Sequence, residues 1–320
     1  MRSKIQSLGS GGLNVTKHFP SNVIERGIEE RVLALKALDL AKVGQSQIHA
    51  NIRSLLSIGY VSRLLEIDGT KLYRVRINTD DKPFENTREL WWPPAQCIKA
   101  RGRLNDVGES IFYSSDSEDT AVIEMRPNAG DVLTVLEVEF IDPTVRPLVT
   151  ELGIHELTGK SNPNYGGIPP EVDVKQKEFM RREGISETSP LLRAYLTDEF
   201  VKIVARGREY EYKTTIAIAH ILVDEPAAVV SDDRRAVTSI RIDGLAYPSI
   251  ASDRLGVNIA LRTQAADSLC RPAACTVYRV QELSGNHYVL GELMKSEFIE
   301  HGGTIGWQIT GARKQFRTLD

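Results

Sequence analysis

The chain has 320 residues, of which 41% are hydrophobic and 26% are charged, and its formal net charge at pH 7 is −3. This composition is typical of a soluble globular protein, and it lacks the basic excess of a dedicated nucleic-acid-binding domain. No run of residues approaches the roughly 18 apolar positions of a transmembrane helix, and residues 1–20 contain no apolar signal-peptide core. We therefore expect a cytoplasmic protein that neither enters a membrane nor binds nucleic acid directly.

The N-terminal part of the sequence predicts helices. Residues 1–20 are polar and glycine-rich and are expected to form a flexible arm, whereas residues 21–62 are expected to be helical. Apolar residues spaced by three and four predict an amphipathic helix that begins at Ser21. A second helix is predicted over "QSQIHANIRSLLSI", with Gly59 as a natural stop. The apolar stripes suit either a structural brace or a regulatory module that could join two copies of the chain into a homo-oligomer.

Strand patterns follow the helices. The stretch "YVSRLLEIDGTKLYRVRI" predicts a β-hairpin that turns at Asp68-Gly69. Farther along, "IFYSS" predicts a short strand, and Ser115 followed by Glu118 fits a capping box that starts a helix. That helix is expected to end before Pro127. The alternating stretch "VLTVLEVEFID" predicts another strand.

The second half of the sequence predicts a mixture of helices and strands. Residues 143–190 are rich in proline, glycine and charge, and predict a long surface insertion. A helix is predicted over "PLLRAYLTDEFVKIVAR", whereas "TTIAIAHILVDE" fits either a strand or a buried helix. Two strands are predicted in "SIRIDGLAYPSIASDRLGVNIALR", and "TVYRVQEL" with "HYVLGELMKSEFIE" predicts a C-terminal hairpin. The predicted fold class is therefore α+β.

Three stretches resemble, in the same order, the three sequence blocks of the RES-domain family. They are "LYRVR" at 72–76, "GRLNDVGESIFYSSDSEDTAVIEM" at 102–125 and "AYPSIASDRLGVNIAL" at 246–261. The middle block is the most specific of the three. The resemblance implies an ADP-ribosyltransferase-like fold with a mixed β core, and it implies consumption of NAD. Members of this family are typically the toxins of bacterial toxin–antitoxin pairs.

The resemblance also implies which residues form the site. The arginine, glutamate and serine for which the family is named fall on Arg74, Glu124 and Ser249, which are the expected catalytic residues. Arg74 and Ser249 are also expected to bind NAD. The other positions expected to bind NAD are Tyr73, Arg103, Asn105 and Tyr113.

The resemblance further predicts the domain organisation. Residues 63–265 are expected to form the RES-like catalytic domain, and residues 266–320 are expected to form a β extension packed on it. The chain departs from the family's compact toxins in its greater length and its N-terminal helices. Some members carry a tyrosine directly after the arginine, whereas Val75 stands there in this chain and Tyr73 precedes the arginine.

The chemistry of NAD suits these residue types. The planar fork of Arg74 matches the oxygens of a pyrophosphate, and tyrosine rings stack on flat bases. Cleavage of the nicotinamide–ribose bond passes through an oxocarbenium-like state. A carboxylate at Glu124 that bonds the ribose hydroxyls would stabilise the developing positive charge, and Ser249 could position the amide or the ribose. NAD is then the substrate, and no metal or further cofactor is required.

The sequence is compatible with three functions. The leading one is NAD degradation by attack of water or phosphate on the ribose. The second is transfer of ADP-ribose to a protein or another macromolecule, and the third is a non-catalytic interaction protein on the same fold. The resemblance also implies a neutralising antitoxin or regulatory partner, because unrestrained consumption of NAD would harm the host.

Overall fold

The computed structural model describes these residues: 7–8, 21–58, 60, 63–67, 71–142, 144–158, 188–224, 227–230, 237–252, 256–284 and 287–316. Most of the predicted arm at residues 1–20 lies outside the described residues. The predicted turn at Asp68-Gly69 and residues 159–187 of the predicted insertion also lie outside them.

The chain forms two units, and each unit is built from three segments. The first unit comprises Met1–Ile67, Lys99–Val107 and Leu148–Leu245. The second unit comprises Asp68–Ile98, Gly108–Pro147 and Ala246–Asp320. The helices, in chain order, are α1 (Ser21–Lys36), α2 (Gln45–Leu56), α3 (Glu118–Glu124), α4 (Ile154–Thr158), α5 (Pro190–Phe200), α6 (Lys213–Ala219) and α7 (Thr263–Leu269).

Strands occur in both units. In chain order they are β1 (Ser7–Leu8), β2 (Arg63–Glu66), β3 (Leu72–Ile77), β4 (Ile111–Ser115), β5 (Val132–Phe140), β6 (Leu148–Glu151), β7 (Ala227–Val230), β8 (Val237–Ile240), β9 (Gly244–Pro248), β10 (Val257–Arg262), β11 (Cys270–Ser284), β12 (His287–Ile299), β13 (Ile305–Ile309) and β14 (Arg313–Phe316). The combination of separate helices and largely antiparallel strands confirms the predicted α+β class. None of the described helices is long and apolar enough to cross a lipid bilayer.

Helices form most of the core of the first unit. α1 buries Ile28, Val32 and Leu35, which recur every three or four residues as the sequence pattern predicts. α2 contacts both α1 and α6, and α1 also contacts α5. The apolar run "TTIAIAHILVDE" is a buried helix, since every residue of α6 is buried and a π-helical turn continues it over His220–Asp224. Its uniform burial explains why periodicity could not distinguish it from a strand.

A buried lysine joins α6 to the connection between α1 and α2. Lys213 is only 8% exposed. Its Nζ donates hydrogen bonds to the main-chain oxygens of Leu40 and Val43, each at 2.7 Å. Gln45 Nε2 donates in turn to the main-chain oxygen of Lys213 at 3.0 Å. These bonds replace the water that the buried ammonium group loses on folding.

The predicted hairpin between residues 60 and 77 is wrong. In the first unit, β2 pairs antiparallel with β6, and Leu64 lies opposite Thr150. In the second unit, β3 pairs instead with β5, where Val75 lies opposite Val135. Both halves of the predicted hairpin are strands, but the alternating pattern says nothing about which strand each one meets. β6 also lies inside the predicted surface insertion, and its Val149 is fully buried.

An antiparallel sheet forms the second unit. Its hydrogen-bonded strands follow the order β13, β12, β11, β5, β3, β4, β10, and β14 also pairs with β12. The pairing of β11 with β12 confirms the predicted C-terminal hairpin. Strand β3, which carries Tyr73 and Arg74, therefore lies in the interior of this sheet between β5 and β4.

Helix α3 packs on one face of this sheet. Its Ala121, Val122 and Ile123 are buried in a core cluster with Val75 and Val135 from the sheet. The predicted capping box is wrong in its position, because the N-cap is Ser117, whose side chain accepts a hydrogen bond from the Thr120 backbone. The helix ends at its C-cap Met125, before Pro127, as predicted.

A glycine allows α3 to approach the turn before β10. Gly256 N donates to Ser252 Oγ at 3.0 Å, and Gly256 O accepts from Ser249 N at 2.8 Å. A Cβ at Gly256 would overlap the side chain of Thr120 on α3 and would come within 2.9 Å of Ser252 Oγ. Only glycine therefore permits this close contact without displacing its neighbours.

Replacing Gly256 by alanine is expected to lower the free energy of unfolding by about 1–3 kcal/mol, because overpacking displaces the surrounding groups. Urea unfolding followed by circular dichroism measures the change. The matched control is Gly302→Ala in the same unit, since no atom lies within 4 Å of the carbon added there. That control should stay within about 0.5 kcal/mol of the parent protein. Equal unfolding midpoints for the two variants would contradict the proposed contact.

Candidate active site

Glu124, at the end of α3, is held by two hydrogen bonds. Ser249 Oγ donates to Glu124 Oε1 at 2.6 Å, and Asn258 Nδ2 donates to the same oxygen at 2.7 Å. Ser249 follows β9, and Asn258 lies on β10. The structure therefore brings together two of the residues that the sequence predicted for the site, although 125 positions separate them along the chain.

The other carboxylate oxygen of Glu124 has no such anchor. Oε2 makes no hydrogen bond to any residue that the structure describes, and the side chain as a whole is half-buried. A carboxylate oxygen in such a position can accept a hydrogen bond from a ligand without breaking a contact within the protein. The arrangement thus combines a rigidly oriented charge with one oxygen left for a ligand.

Ser249 is itself rigidly positioned. Its side chain is fully buried, and its Oγ accepts a hydrogen bond from the Ser252 backbone at 3.2 Å while donating to Glu124. A hydroxyl group has one proton to donate. The single proton of Ser249 is therefore committed to the carboxylate, so this serine orients Glu124.

Asn258 is a site residue that the sequence reasoning missed. It is 7% exposed, and its Oδ1 accepts a hydrogen bond from Ser115 Oγ at 2.9 Å while its Nδ2 faces Glu124. The bond from Ser115 therefore fixes which end of the amide faces the carboxylate. A signal was present in "VNIALR", because asparagine is depleted in strands and stands here among apolar residues.

Three neighbouring strands place their side chains in one row beneath Glu124. Asn258 on β10 lies opposite Ser115 on β4, and Ser115 lies opposite Tyr73 on β3. Directly opposed residues of antiparallel strands point to the same face of the sheet. Tyr73 also packs against the core cluster that includes the apolar residues of α3. Burial, and to a lesser extent the charge of Glu137, raises the pKa of Tyr73.

Arg74 lies on the opposite face of the sheet. Side chains alternate along a strand, and both neighbours of Arg74, Tyr73 and Val75, pack on the side of α3. The guanidinium group of Arg74 lies 5.6 Å from the ring centre of Phe112, on the other side. The strand geometry therefore puts the side chains of Tyr73 and Arg74 on different faces of the sheet, and the expected participation of Arg74 in one catalytic site with Glu124 stays a prediction.

The guanidinium group of Arg74 is bound to the main chain. Its Nε donates to Leu90 O at 2.8 Å, and its Nη1 donates to Tyr113 O at 2.6 Å. β3 and β4, both fully described, pair only at Tyr73 and Ser115, so Arg74 bridges them where they separate. Burial, and then the nearby charge of Arg76, lowers the pKa of Arg74 to about 9, so it remains charged at neutral pH.

Arg103 and Asn105 belong to the first unit. Arg103 donates from Nη2 to Lys202 O at 3.0 Å, and its guanidinium group lies 5.4 Å from the ring centre of Tyr212. Asn105 is 6% exposed and donates from Nδ2 to Asp106 O at 3.0 Å. Within that unit, both residues support the local main chain, and their predicted contact with NAD stays a prediction.

Tyr113 lies on the same face of the sheet as Glu124. It stands opposite Ala260 on β10, two positions along β4 from Ser115, and its side chain is half-buried. The part of the candidate site that lies on this face therefore comprises Glu124, Ser249, Asn258, Tyr73 and Tyr113. Among the described residues, no three histidine, cysteine, aspartate or glutamate side chains are grouped as metal ligands would be.

Comparisons with known proteins do not place the chain in a family. No known family model matches it, and no curated protein matches it significantly.

The anchoring role of Arg74 can be tested by Arg74→Lys. We expect the free energy of unfolding to fall by about 1–3 kcal/mol, because lysine lacks the fork that reaches both carbonyls and would leave one oxygen unpaired. Thermal and urea unfolding measure the effect. The control is Arg271→Lys, whose exposed pair with Glu139 at 2.8 Å should contribute only about 0–1 kcal/mol. Similar losses in both variants would argue against a buried clamp.

A second carboxylate at position 258 should make stability depend on pH. In Asn258→Asp, two carboxylates would lie within hydrogen-bonding distance, and their repulsion would raise the folded-state pKa of one of them. A raised carboxyl pKa favours folding below the unfolded-state pKa values of about 4, and that contribution is lost as the pH rises through the folded-state pKa. Relative to the parent protein, the variant should therefore be least destabilised near pH 4.

The measurement is urea unfolding of Asn258→Asp at pH 4 and pH 7.5, with Asn258→Ala as the matched control. The alanine variant also loses the hydrogen bond to Glu124, together with the bond from Ser115, but it adds no charge, so its loss of stability should vary little with pH. If the two variants lose stability in parallel at both pH values, position 258 does not lie against an ionised Glu124.

Proposed function

We propose that this protein is an NAD-degrading enzyme that cleaves the nicotinamide–ribose bond, on an ADP-ribosyltransferase-like fold with a RES-like catalytic domain. The observation that supports the proposal is the hydrogen bonding of the two carboxylate oxygens of Glu124. One of its oxygens is anchored by Ser249 and Asn258, and the other has no hydrogen bond to the described residues. A preorganised carboxylate of this kind is what an oxocarbenium-like transition state requires.

The proposed chemistry needs no covalent participation of the protein. The unanchored oxygen of Glu124 accepts a hydrogen bond from a ribose hydroxyl as the bond to nicotinamide lengthens. Positive charge then develops on the ribose, and the nearby carboxylate stabilises it. Water or phosphate attacks the ribose carbon, and nicotinamide leaves with the bonding electrons as a neutral molecule. Ser249 and Asn258 act as positioning residues, since both touch Glu124 directly.

The two tyrosines on the face of Glu124 are the proposed stacking groups. Tyr73 stands in the row beneath Glu124, and Tyr113 lies two positions along β4 from that row. Both residues are half-buried. An aromatic ring beside a ribose site suits the flat, positively charged nicotinamide ring.

Arg74 receives a different role in this proposal from the one that the resemblance implies. Its Nε and Nη1 already bind two main-chain oxygens, so binding a pyrophosphate with its fork would require giving up those bonds. We assign Arg74 the positioning of β4, which carries Tyr113. The direct contact of Arg74 with NAD stays a prediction, as do the contacts of Arg103 and Asn105.

The proposal also includes the biological role of the protein and its partner. The resemblance supports a toxin or defence effector in the cytoplasm, with a neutralising antitoxin or regulatory protein as its partner. The helices α1 and α2 are the proposed elements for regulation or for self-association. On the described part of α1, Val23 and Leu33 are 50% and 60% exposed, which leaves apolar surface outside the core of the unit.

Glu124→Gln is the decisive variant. The glutamine oxygen can still accept from Ser249 and Asn258, so the fold should be kept while the negative charge is lost. We expect nicotinamide release from NAD to fall by about 10²–10³-fold. Mass spectrometry of the reaction measures the release, and Glu139→Gln, which removes a charge from the exposed pair with Arg271, is the matched control. A folded Glu124→Gln protein with parental turnover would remove Glu124 from the mechanism.

The same reaction distinguishes the alternatives. Hydrolysis yields free ADP-ribose, phosphorolysis yields a phosphorylated ADP-ribose, and transfer yields a macromolecule whose mass has increased by one ADP-ribosyl group. The parent protein should show one of these products in the presence of phosphate and cell extract. If it forms none of them from NAD, the chain is a non-catalytic interaction protein and the proposal fails.

A further inference from the structure

Strand β13 forms an outer edge of the sheet in the second unit. It stands last in the strand order and pairs with β12 on its inner side. Thr310 N donates to Leu293 O on β12 at 3.1 Å, so the main-chain groups of Thr310 point inward. Successive residues of an antiparallel strand direct their main-chain groups to opposite sides. The N–H and C=O groups of Trp307 and Ile309 therefore point outward, where no strand pairs with them among the residues that the structure describes.

This edge is apolar and uncharged. Ile309 is 80% exposed, and Phe298 on β12 is 52% exposed. Residues 302–312 include no charged residue and no proline, although 26% of the chain is charged. Edge strands of monomeric proteins commonly carry charged residues or proline, because an open edge otherwise pairs with another chain. The composition of β13 is thus that of a strand that pairs on both sides.

Two features limit the part of β13 that another strand can reach. At the start of the strand, Ile305 N already donates to Glu85 O at 2.9 Å. Beyond its end, Gly311 has a φ of +71°, so the chain turns out of the strand direction there. The free stretch is therefore 306–310, and its midpoint is Gln308. A second copy that runs antiparallel about this midpoint presents the same stretch, so that donors and acceptors complement one another.

We propose that two copies of this protein associate through β13, antiparallel and about a two-fold axis at Gln308. Trp307 of each copy then lies opposite Ile309 of the other, and each of these pairs exchanges two main-chain hydrogen bonds. The register also brings the exposed side chain of Ile309 against the half-buried ring of Trp307 in the other copy. This inference goes beyond the proposed function and does not depend on it.

The opposite face of the paired strands gains contacts as well. Phe298 lies against Gly306, where an added Cβ would overlap its ring. Residues two apart share one face of a strand, so Gln308 and Thr310 lie on the same face as Gly306. In the proposed register, Thr310 of one copy stands opposite Gly306 of the other and beside the exposed ring of Phe298. The pairing therefore covers apolar surface on both faces of the joined sheet.

Sedimentation equilibrium of the full-length protein tests the association. A contact through one short strand is smaller than a standard interface of about 800 Å² per partner, so we expect a reversible dimer with a Kd of about 10–100 µM. Ile309→Pro removes an N–H that is bonded only in the dimer, and proline is tolerated where an edge strand faces solvent. The Kd should rise by about 10–100-fold. Ile309→Val keeps the N–H and should stay much closer to the parent protein.

Cross-linking locates the two-fold axis. The background is Cys97→Ser, which removes the exposed cysteine. In Gln308→Cys, the two thiols belong to directly opposed residues whose Cα atoms lie about 4.5 Å apart, within the range of a disulfide, so mild oxidation should give a covalent dimer. Thr310→Cys is the matched control. The two copies of residue 310 would lie about 14 Å apart along the strands, which is too far for a disulfide.

The outcomes decide the proposal. A dimer that is weakened by Ile309→Pro and cross-links at position 308 but not at position 310 supports it. A parent protein that stays monomeric up to about 500 µM overturns it, as does an unchanged Kd in folded Ile309→Pro. A parent dimer that fails to cross-link through Gln308→Cys, or cross-links equally through Thr310→Cys, joins through another surface such as α1, and the proposal fails even if Ile309→Pro does not fold. None of these measurements uses NAD, so they leave the proposed function untouched.

Discussion

The hydrogen bonds that hold Glu124 connect four separate parts of the second unit. Glu124 ends α3, Ser249 follows β9, Asn258 lies on β10, and Ser115 ends β4. A half-buried carboxylate needs such partners, because burial removes water that would otherwise solvate its charge. The same bonds orient the carboxylate, so the position of the proposed catalytic charge and the joining of these elements depend on one network.

Close packing around Glu124 keeps its hydrogen-bond network in place. Gly256 lets the turn after Ser249 lie against Thr120 at the start of α3, where a larger residue would overlap. The apolar side of α3 is buried on the sheet with Val75 and Val135. A charged group placed at the end of a well-packed helix has little freedom to move, and this preorganisation is what electrostatic stabilisation of a transition state requires.

The strand pairing decides which predicted residues share a surface. Tyr73 and Arg74 are adjacent in sequence, yet Tyr73 faces α3 and Arg74 faces Phe112. The sequence resemblance treats both as site residues, because a linear motif carries no information about the two faces of a sheet. The register therefore gives Arg74 a supporting role within the sheet.

Local patterns in the sequence determined most of the elements of this protein. The spacing of Ile28, Val32 and Leu35 predicted a helix, and the alternation in β5 predicted a strand, because such periodicities arise within a single segment. The resemblance of separate sequence blocks, and not a local pattern, implied that Glu124 and Ser249 belong to one site. Only the tertiary structure decided that β2 pairs with β6, that Ser117 caps α3, and that Asn258 completes the anchor of Glu124. These features depend on pairing and burial between segments that lie far apart in the sequence. No single segment contains a pattern that predicts them.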